Sequence, residues 1–263
     1  MSEIPAALVK ELRERTGAGM MECKRALQEA NGDIDAAHKL LREWGAAQAG
    51  KRAGRETTEG VVLARINNGV GTLVAIGSES EPVSKNDEFR AFADRVLETV
   101  EREGPEAVSS LDDERTELIA KIGENIVVRG AARFEADGKE LASYVHPPAN
   151  KIGVLVKAEG SPEAARRFAM HVAFAAPRYE AREHVPAEEI EAEKEIYGKL
   201  PEVESKPEDV RPKIIEGLLN KRFFAETVLA EQAWIHEPKK TVEQALGEEG
   251  LKVVEFERLA LTE

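Results

Sequence analysis

Apolar residues recur at helical intervals three times in the first 45 positions. Leu8, Val9 and Leu12 follow Pro5, a residue suited to a first helical turn. Met20, Cys23 and Leu27 follow at i, i+3 and i+7. Asn31-Gly32 is expected to end that helix and Asp33 to cap a third, with Ile34, Ala37, Leu40, Leu41 and Trp44 inside and Gly45 stopping it. Residues 1–45 therefore predict a three-helix module, too small to bury much by itself. Residues 46–59, AAQAGKRAGRETTE, contain no large apolar side chain and predict an exposed linker.

The period then changes to that of strands. GVVLARI and VGTLVAIG flank Asn67-Asn68-Gly69, a strong hairpin signal. A helix is expected from Asn86 or Asp87 with Phe89, Phe92, Ala93, Val96 and Val100 inside. A second, with Leu118, Ile119 and Ile122, leads into NIVVRGAARFEA. ELASYVHPPANKIGVLVKAEG repeats the strand–turn–strand pattern, and SPEAARRFAMHVAFAA repeats the helix behind a Ser161-Pro162 cap. The recurrence extends to letters: Gly71-Thr72-Leu73-Val74 matches Gly153-Val154-Leu155-Val156, and R-x-F-A-x-x-V occurs from Arg90 and from Arg166. This pattern predicts an internal duplication, with halves at 60–138 and 139–263. Six extra residues in the first copy fall in the segment containing SESEPVSKN, between strand and helix. A loop lengthened in one of two equivalent units costs little in closure entropy and is a natural place for function. Residues from about 186 to 224 predict a helical hairpin split between Pro201 and Pro207, with Ile190, Tyr197, Ile214 and Leu218 along its seam. VLAEQAWI, TVEQALGEEG and LKVVEFERLAL then predict strand, helix and strand. The fold class is α+β.

Charge narrows the choice of partner. The net charge is −13, but residues 1–55 hold 10 Lys/Arg against 8 Asp/Glu, leaving 27 against 42 for the rest. An acidic surface repels phosphate backbones and disfavours nucleic acid as a ligand. No run is long and apolar enough for a membrane helix, and the N-terminus has neither signal nor transit composition, so the cytoplasm is expected. The single cysteine, Cys23, excludes an internal disulfide and a multi-thiolate metal site.

Candidate chemistry is sparse. RTGAGMMECK, from Arg15 to Lys24, looks at first like a phosphate cradle. However, a helix precedes it instead of a strand, Glu22 occupies the third glycine position of G-x-G-x-x-G, and the Walker spacing fails. Adjacent helical side chains point about 100° apart, so one of Met20 and Met21 is expected in the core and the other in solvent. Histidines 38, 146, 171, 184 and 236 form no metal-ligand spacing. His171 is expected to be partly buried on a helix and His146 exposed before Pro147-Pro148. There is no G-x-S-x-G, and the hairpin carboxylates resemble a solvated face. An enzyme has no site here; a protein-binding role fits better.

The motifs resemble a known family. VKELRERTGAGMMECKRAL (Val9–Leu27) followed by ANGDIDAA is similar to the N-terminal module of the elongation factor Ts family. So are KIGENI (Lys121–Ile126), SYVH (Ser143–His146), IGVLV (Ile152–Val156), AMHVA (Ala169–Ala173) and KIIEGLLNKRFF (Lys213–Phe224). The resemblance covers essentially the whole chain. It implies a ubiquitin-associated-like helical module, a linker, and a core of two related α+β halves with a helical hairpin inserted in the second. It implies a guanine-nucleotide exchange factor that binds elongation factor Tu in its GDP form and releases GDP and magnesium so that GTP can enter. No cofactor and no direct nucleotide, nucleic-acid or membrane contact is implied.

By the same resemblance Thr16, Gly17, Ala18, Gly19, Met20, Met21 and Lys24 face the nucleotide-binding domain of Tu, while Ile126 and His146 lie on or behind the Tu-facing surface. The magnesium-dislocating loop of the family reads T-D-F-V; here it is Ser80, Glu81, Pro82 and Val83. Glu81 keeps the carboxylate and Pro82 replaces the aromatic, which removes a wedge worth about 1–2 kcal/mol or substitutes a stiffer loop for it. The rival expectation is a non-catalytic adaptor that uses the three-helix module to hold a peptide or ubiquitin-like partner.

Overall fold

A computed structural model describes residues 4–262; Met1, Ser2 and Glu3 of the N-terminal segment and Glu263 lie outside that description. Three helices open the chain: α1 (Ala6–Thr16), α2 (Met20–Glu29) and α3 (Ile34–Arg52). Leu12, Cys23, Ala26, Leu27 and Ala37 are fully buried between them. Asp33 caps α3 by accepting from the amides of Asp35 and Ala36, both at 2.9 Å.

Helix α3 does not stop at Gly45, and residues 46–52 of the expected linker continue it to Arg52. The glycine has a different use. A Cβ at Gly45 would fall 2.8 Å from the Cβ of Ala120 on α6 (Asp112–Ile122), so its bare backbone allows the two helices to approach closely. Ala49 packs against the first-half core, and Arg52 donates to the carbonyl of Ile119.

The first half is an antiparallel sheet of β1 (Glu59–Asn67), β2 (Val70–Ser78) and β3 (Ile126–Glu135), in that order. Asn68 and Gly69 both have positive φ, 48° and 76°, which gives the primed turn that matches strand twist. Helices α4 (Glu81–Ser84), α5 (Asp87–Glu103) and α6 follow β2, with Asn86 capping α5. The second half repeats the plan. Strands β4 (Glu140–Val145), β5 (Ile152–Glu159) and β6 (Lys252–Ala260) form an antiparallel sheet in that order, and α7 (Pro162–Ala175) packs on it behind the Ser161 cap.

The duplicated letters occupy equivalent places. β2 and β5 are the central strands of their sheets, and Phe92, Ala93 and Val96 on α5 are as completely buried as Phe168, Ala169 and Val172 on α7. The two sheets meet face to face through Val62, Leu73, Ala75, Leu155 and Leu261. Eight residues separate β2 from α5, but only two separate β5 from α7, and α4 occupies the difference.

The hairpin consists of α8 (Ala187–Gly198), α9 (Pro201–Glu204), α10 (Arg211–Leu218), a wide π-type turn over Leu219–Phe224, and α11 (Ala225–Thr227). Ile190, Tyr197 and Leu218 line its core as expected, but Ile215 takes the place expected of Ile214. VLAEQAWI is not a strand. Leu229–Glu231 form a 3₁₀ turn, and Gln232 reaches back with its amide nitrogen to the carbonyls of Ala175 (3.1 Å) and Glu226 (2.7 Å). Leu229 and Trp234 thereby enter the core without a sheet ladder. Helix α12 (Val242–Glu249), with a capping box at Thr241, leads to β6. No helix among the described residues is long and apolar enough to cross a membrane.

Candidate functional site

The turn between α1 and α2 is built by local chemistry. Gly17 adopts a left-handed conformation (φ 67°) and its N–H donates to the carbonyl of Arg13 at 2.7 Å, ending α1. The Thr16 hydroxyl donates back to the carbonyl of Leu12 (2.7 Å) and accepts from the N–H of Ala18 (3.2 Å). Gly19, at φ −59°, starts α2 without needing left-handed freedom. Both methionines point outward, Met20 59% and Met21 73% exposed, so neither fills the core position expected of one of them. Cys23 and Leu27 already fill that core. Lys24 is exposed on the same helix.

Gly17 is covered from the other side. The aliphatic stem of Lys121, at the end of α6, lies where a Gly17 side chain would be, and its ammonium pairs with Glu88 at the start of α5. Three residues later Glu124 turns to the lengthened loop. Its carboxylate accepts from the Ser80 amide (3.0 Å) and the Ser80 hydroxyl (2.5 Å). Asn125, buried, donates its own amide to Glu79 (2.6 Å) and its side chain to the carbonyl of Arg55 (3.0 Å). The segment Lys121–Asn125 therefore holds the turn at 16–21 and the loop at 79–84 together on one side of the molecule.

Within that loop Ser80 starts a single helical turn with Pro82 in its first positions, where a missing N–H costs nothing. Ser84 closes it by donating to the carbonyl of Glu81 at 2.7 Å. Val83 is half-buried against the first-half core, whereas Glu81 and Pro82 are exposed. Lys85, 2.8 Å from Glu81, holds that carboxyl below its usual range by hydrogen bonding and charge, and Lys151 adds to the effect. Lys151 also pairs with Glu59 at 2.5 Å. Beyond it lies the β4–β5 connection, where the amide of Val62 donates to Asn150 (2.7 Å) and exposed His146 bonds through Nδ1 to the hydroxyl of Tyr144 (2.9 Å). Ile126 is fully buried in the first-half core, so it supports this region from behind and offers no surface of its own.

The exposed groups here are two thioethers, an ion-paired carboxylate, a proline and an imidazole. No group of His, Cys, Asp and Glu capable of holding a metal ion occurs among the described residues. Sequence reasoning missed the roles of Lys121, Glu124 and Asn125. KIGEN was conspicuous as a motif, but its partners lie across the fold.

The family model described as Elongation factor TS matches residues 79–263. Curated relatives extend the likeness through the N-terminal helices. Elongation factor Ts of Vibrio campbellii is 44% identical over 266 residues, spanning 100% of this chain and 93% of the relative. Elongation factor Ts of Alkalilimnicola ehrlichii is 44% identical over 273 residues, spanning 99% and 92%. Elongation factor Ts of Shewanella amazonensis is 43% identical over 264 residues, spanning 99% and 91%. With a family model over most of its length and whole-length relatives at this identity, the chain belongs to the elongation factor Ts family.

Proposed function

We propose that this chain, a translation elongation factor by family, is the guanine-nucleotide exchange factor of elongation factor Tu. It binds Tu·GDP, loosens GDP and its magnesium ion, and leaves when GTP enters. The observation that carries this is the joint mounting of the Thr16–Met21 turn and the Ser80–Val83 loop on Lys121–Asn125. A surface with two prongs fixed relative to each other can favour one shape of its partner over another. The whole-length relatives named elongation factor Ts support the same reading.

The mechanism requires binding energy and no covalent step. If the factor binds empty Tu more tightly than Tu·GDP, linkage requires that GDP weaken the factor by the same amount; couplings of about 1–3 kcal/mol correspond to roughly 5–150-fold. Glu81 brings a carboxylate that stays ionised because Lys85 and Lys151 hold it so, and it is suited to repel phosphate or compete for magnesium. Met20 and Met21 supply soft apolar contact, and His146 extends the contact along the β4–β5 connection. The partner is a protein in the cytoplasm, and the factor itself holds no nucleotide.

The deciding measurement is dissociation of fluorescent GDP from purified cognate Tu with and without this chain. Acceleration is the expected result. An unchanged off-rate despite binding would leave an adaptor instead.

A further inference from the structure

Met20 and Met21 are 59% and 73% exposed in the first turn of α2, while Cys23 on the next turn is fully buried. The Cys23 thiol lies against Thr16 and the carbonyl of Ala18, and burial pushes it up, away from the reactive thiolate. Met170 on α7 is only partly exposed. Among the described residues, the sulfur-bearing side chains most open to a soluble oxidant are therefore this methionine pair. Met21 also borders a shallow cleft with Glu22, Lys24, Arg25 and Gln28, and Arg25 stands one helical turn beyond it with its guanidinium 3.9 Å from the centre of the Trp44 ring.

We propose that Met20–Met21 is an oxidant-modification site through which peroxides weaken the factor's hold on its partner. One oxygen atom passes from hydrogen peroxide to each Sδ: the O–O bond breaks, an S=O bond forms, the sulfur gives up two electrons, and water leaves. A soft apolar side chain becomes a polar one whose oxygen is a strong acceptor. At Met21 the same cleft offers that oxygen the donors of Lys24 and Arg25 and sets it beside the Glu22 carboxylate. Methionine sulfoxide reductases reverse the change with thiol electrons. The site chemistry depends on exposure alone. The consequence rests on the exchange function proposed above.

The test oxidises the full chain alone with hydrogen peroxide, quenches it, and splits the sample. Peptide mass spectrometry is expected to find added oxygen at Met20 and Met21 before Met170 or Cys23. Oxygen at Met170 or Cys23 first would overturn the site. GDP release from unoxidised Tu is then compared as the ratio of treated to untreated factor, and a drop of about tenfold at limiting factor is expected from loss of two apolar contacts. Reductase treatment should restore the ratio, and Met20→Leu/Met21→Leu should bring it near one whatever that variant's own rate. Met170→Leu should keep the drop. Sulfoxide at both positions with an unchanged ratio, or a drop that persists in the double leucine variant, would overturn the regulatory role. If untreated factor fails to speed GDP release, the exchange reading fails; mass spectrometry still decides the site, and titration of Tu with treated and untreated chain decides its effect on binding.

Discussion

Gly71 and Leu155 touch across the two sheets: a Cβ on Gly71 would fall 2.8 Å from a Leu155 methyl carbon. The equivalent pair is inverted, since a Cβ on Gly153 would fall 2.9 Å from a methyl carbon of Leu73. Each half thus offers a glycine where the other offers a leucine, and the duplicated G-x-L-V strands lock by mutual exchange. All four positions are buried.

Gly71→Val should overpack this seam and lower stability by about 1–3 kcal/mol, read as a lower midpoint in urea unfolding. Gly153→Val should cost a similar amount. Trimming the opposing leucine in a Gly71→Ala/Leu155→Ala double variant should leave less damage than the two single effects predict, because the positions share one space. Additive effects would mean that the two sheets do not interlock here.

In the proposed exchange role Glu124 acts as a positioning residue, through Ser80. Glu124→Ala removes the acceptor for the Ser80 amide and hydroxyl, hydrogen bonds to a charged group worth about 1.5–3 kcal/mol each. The expected result is slower maximal GDP release with a smaller change in the concentration giving half that rate. Glu124→Gln, which can accept from the amide while its NH₂ faces the hydroxyl, should recover part of the loss. An equal fall in both parameters for the two variants would contradict a positioning role.

Pro82 is exposed on the single helical turn Glu81–Ser84, at the position where the resemblance implies an aromatic residue. Pro82→Phe should accelerate GDP release from Tu up to about tenfold if an aromatic wedge adds its usual 1–2 kcal/mol there. Stopped-flow release with a fluorescent nucleotide checks this; an unchanged rate would mean that the stiff proline serves equally well.

His171 is buried beside Trp234, with its Nε2 3.0 Å from the Gln232 side-chain oxygen and its Nδ1 accepting from the amide of Ile235 at 3.4 Å. Burial lowers its pKa, and nearby His236 acts in the same direction. The unfolded chain therefore binds a proton more readily than the folded one. Its contribution is complete above about pH 6.5 and declines as the pH falls from there toward the folded-state value. Urea midpoints measured from pH 7.5 to 5.5 should drop more steeply for the natural chain than for His171→Gln. Parallel slopes would show that this imidazole is not responsible.

Features set by neighbouring residues were legible in the sequence. The Asn68-Gly69 turn, the Asp33 and Ser161 caps, the helix start at Asn86–Asp87 and the repeated R-x-F-A-x-x-V face all depend on the next few positions, and the structure places them as the sequence predicts. Features set by distant partners were not. A glycine ending a helix and one admitting a neighbouring helix look alike in one dimension, and only Ala120 distinguishes them at Gly45. The apolar letters of VLAEQAWI suit a strand, yet Gln232 supplies through its side chain the hydrogen bonds that a ladder would have provided. At the candidate site, the corner at Gly17 and the exposure of His146 could be anticipated. The burial of Ile126 and the grip of Glu124 on Ser80, 44 residues away, required the fold.

Because the Lys121 stem rests on Gly17, replacing that glycine by any other residue would strike twice: at a backbone angle that side chains resist and at the lysine that spans to Glu88. A fault at this corner would then reach the start of α5 through one methylene chain. In the exchange role proposed above, the helical head is a jaw whose gape this lysine fixes in advance, so an encounter with the partner would not wait for a loose tether to find its angle.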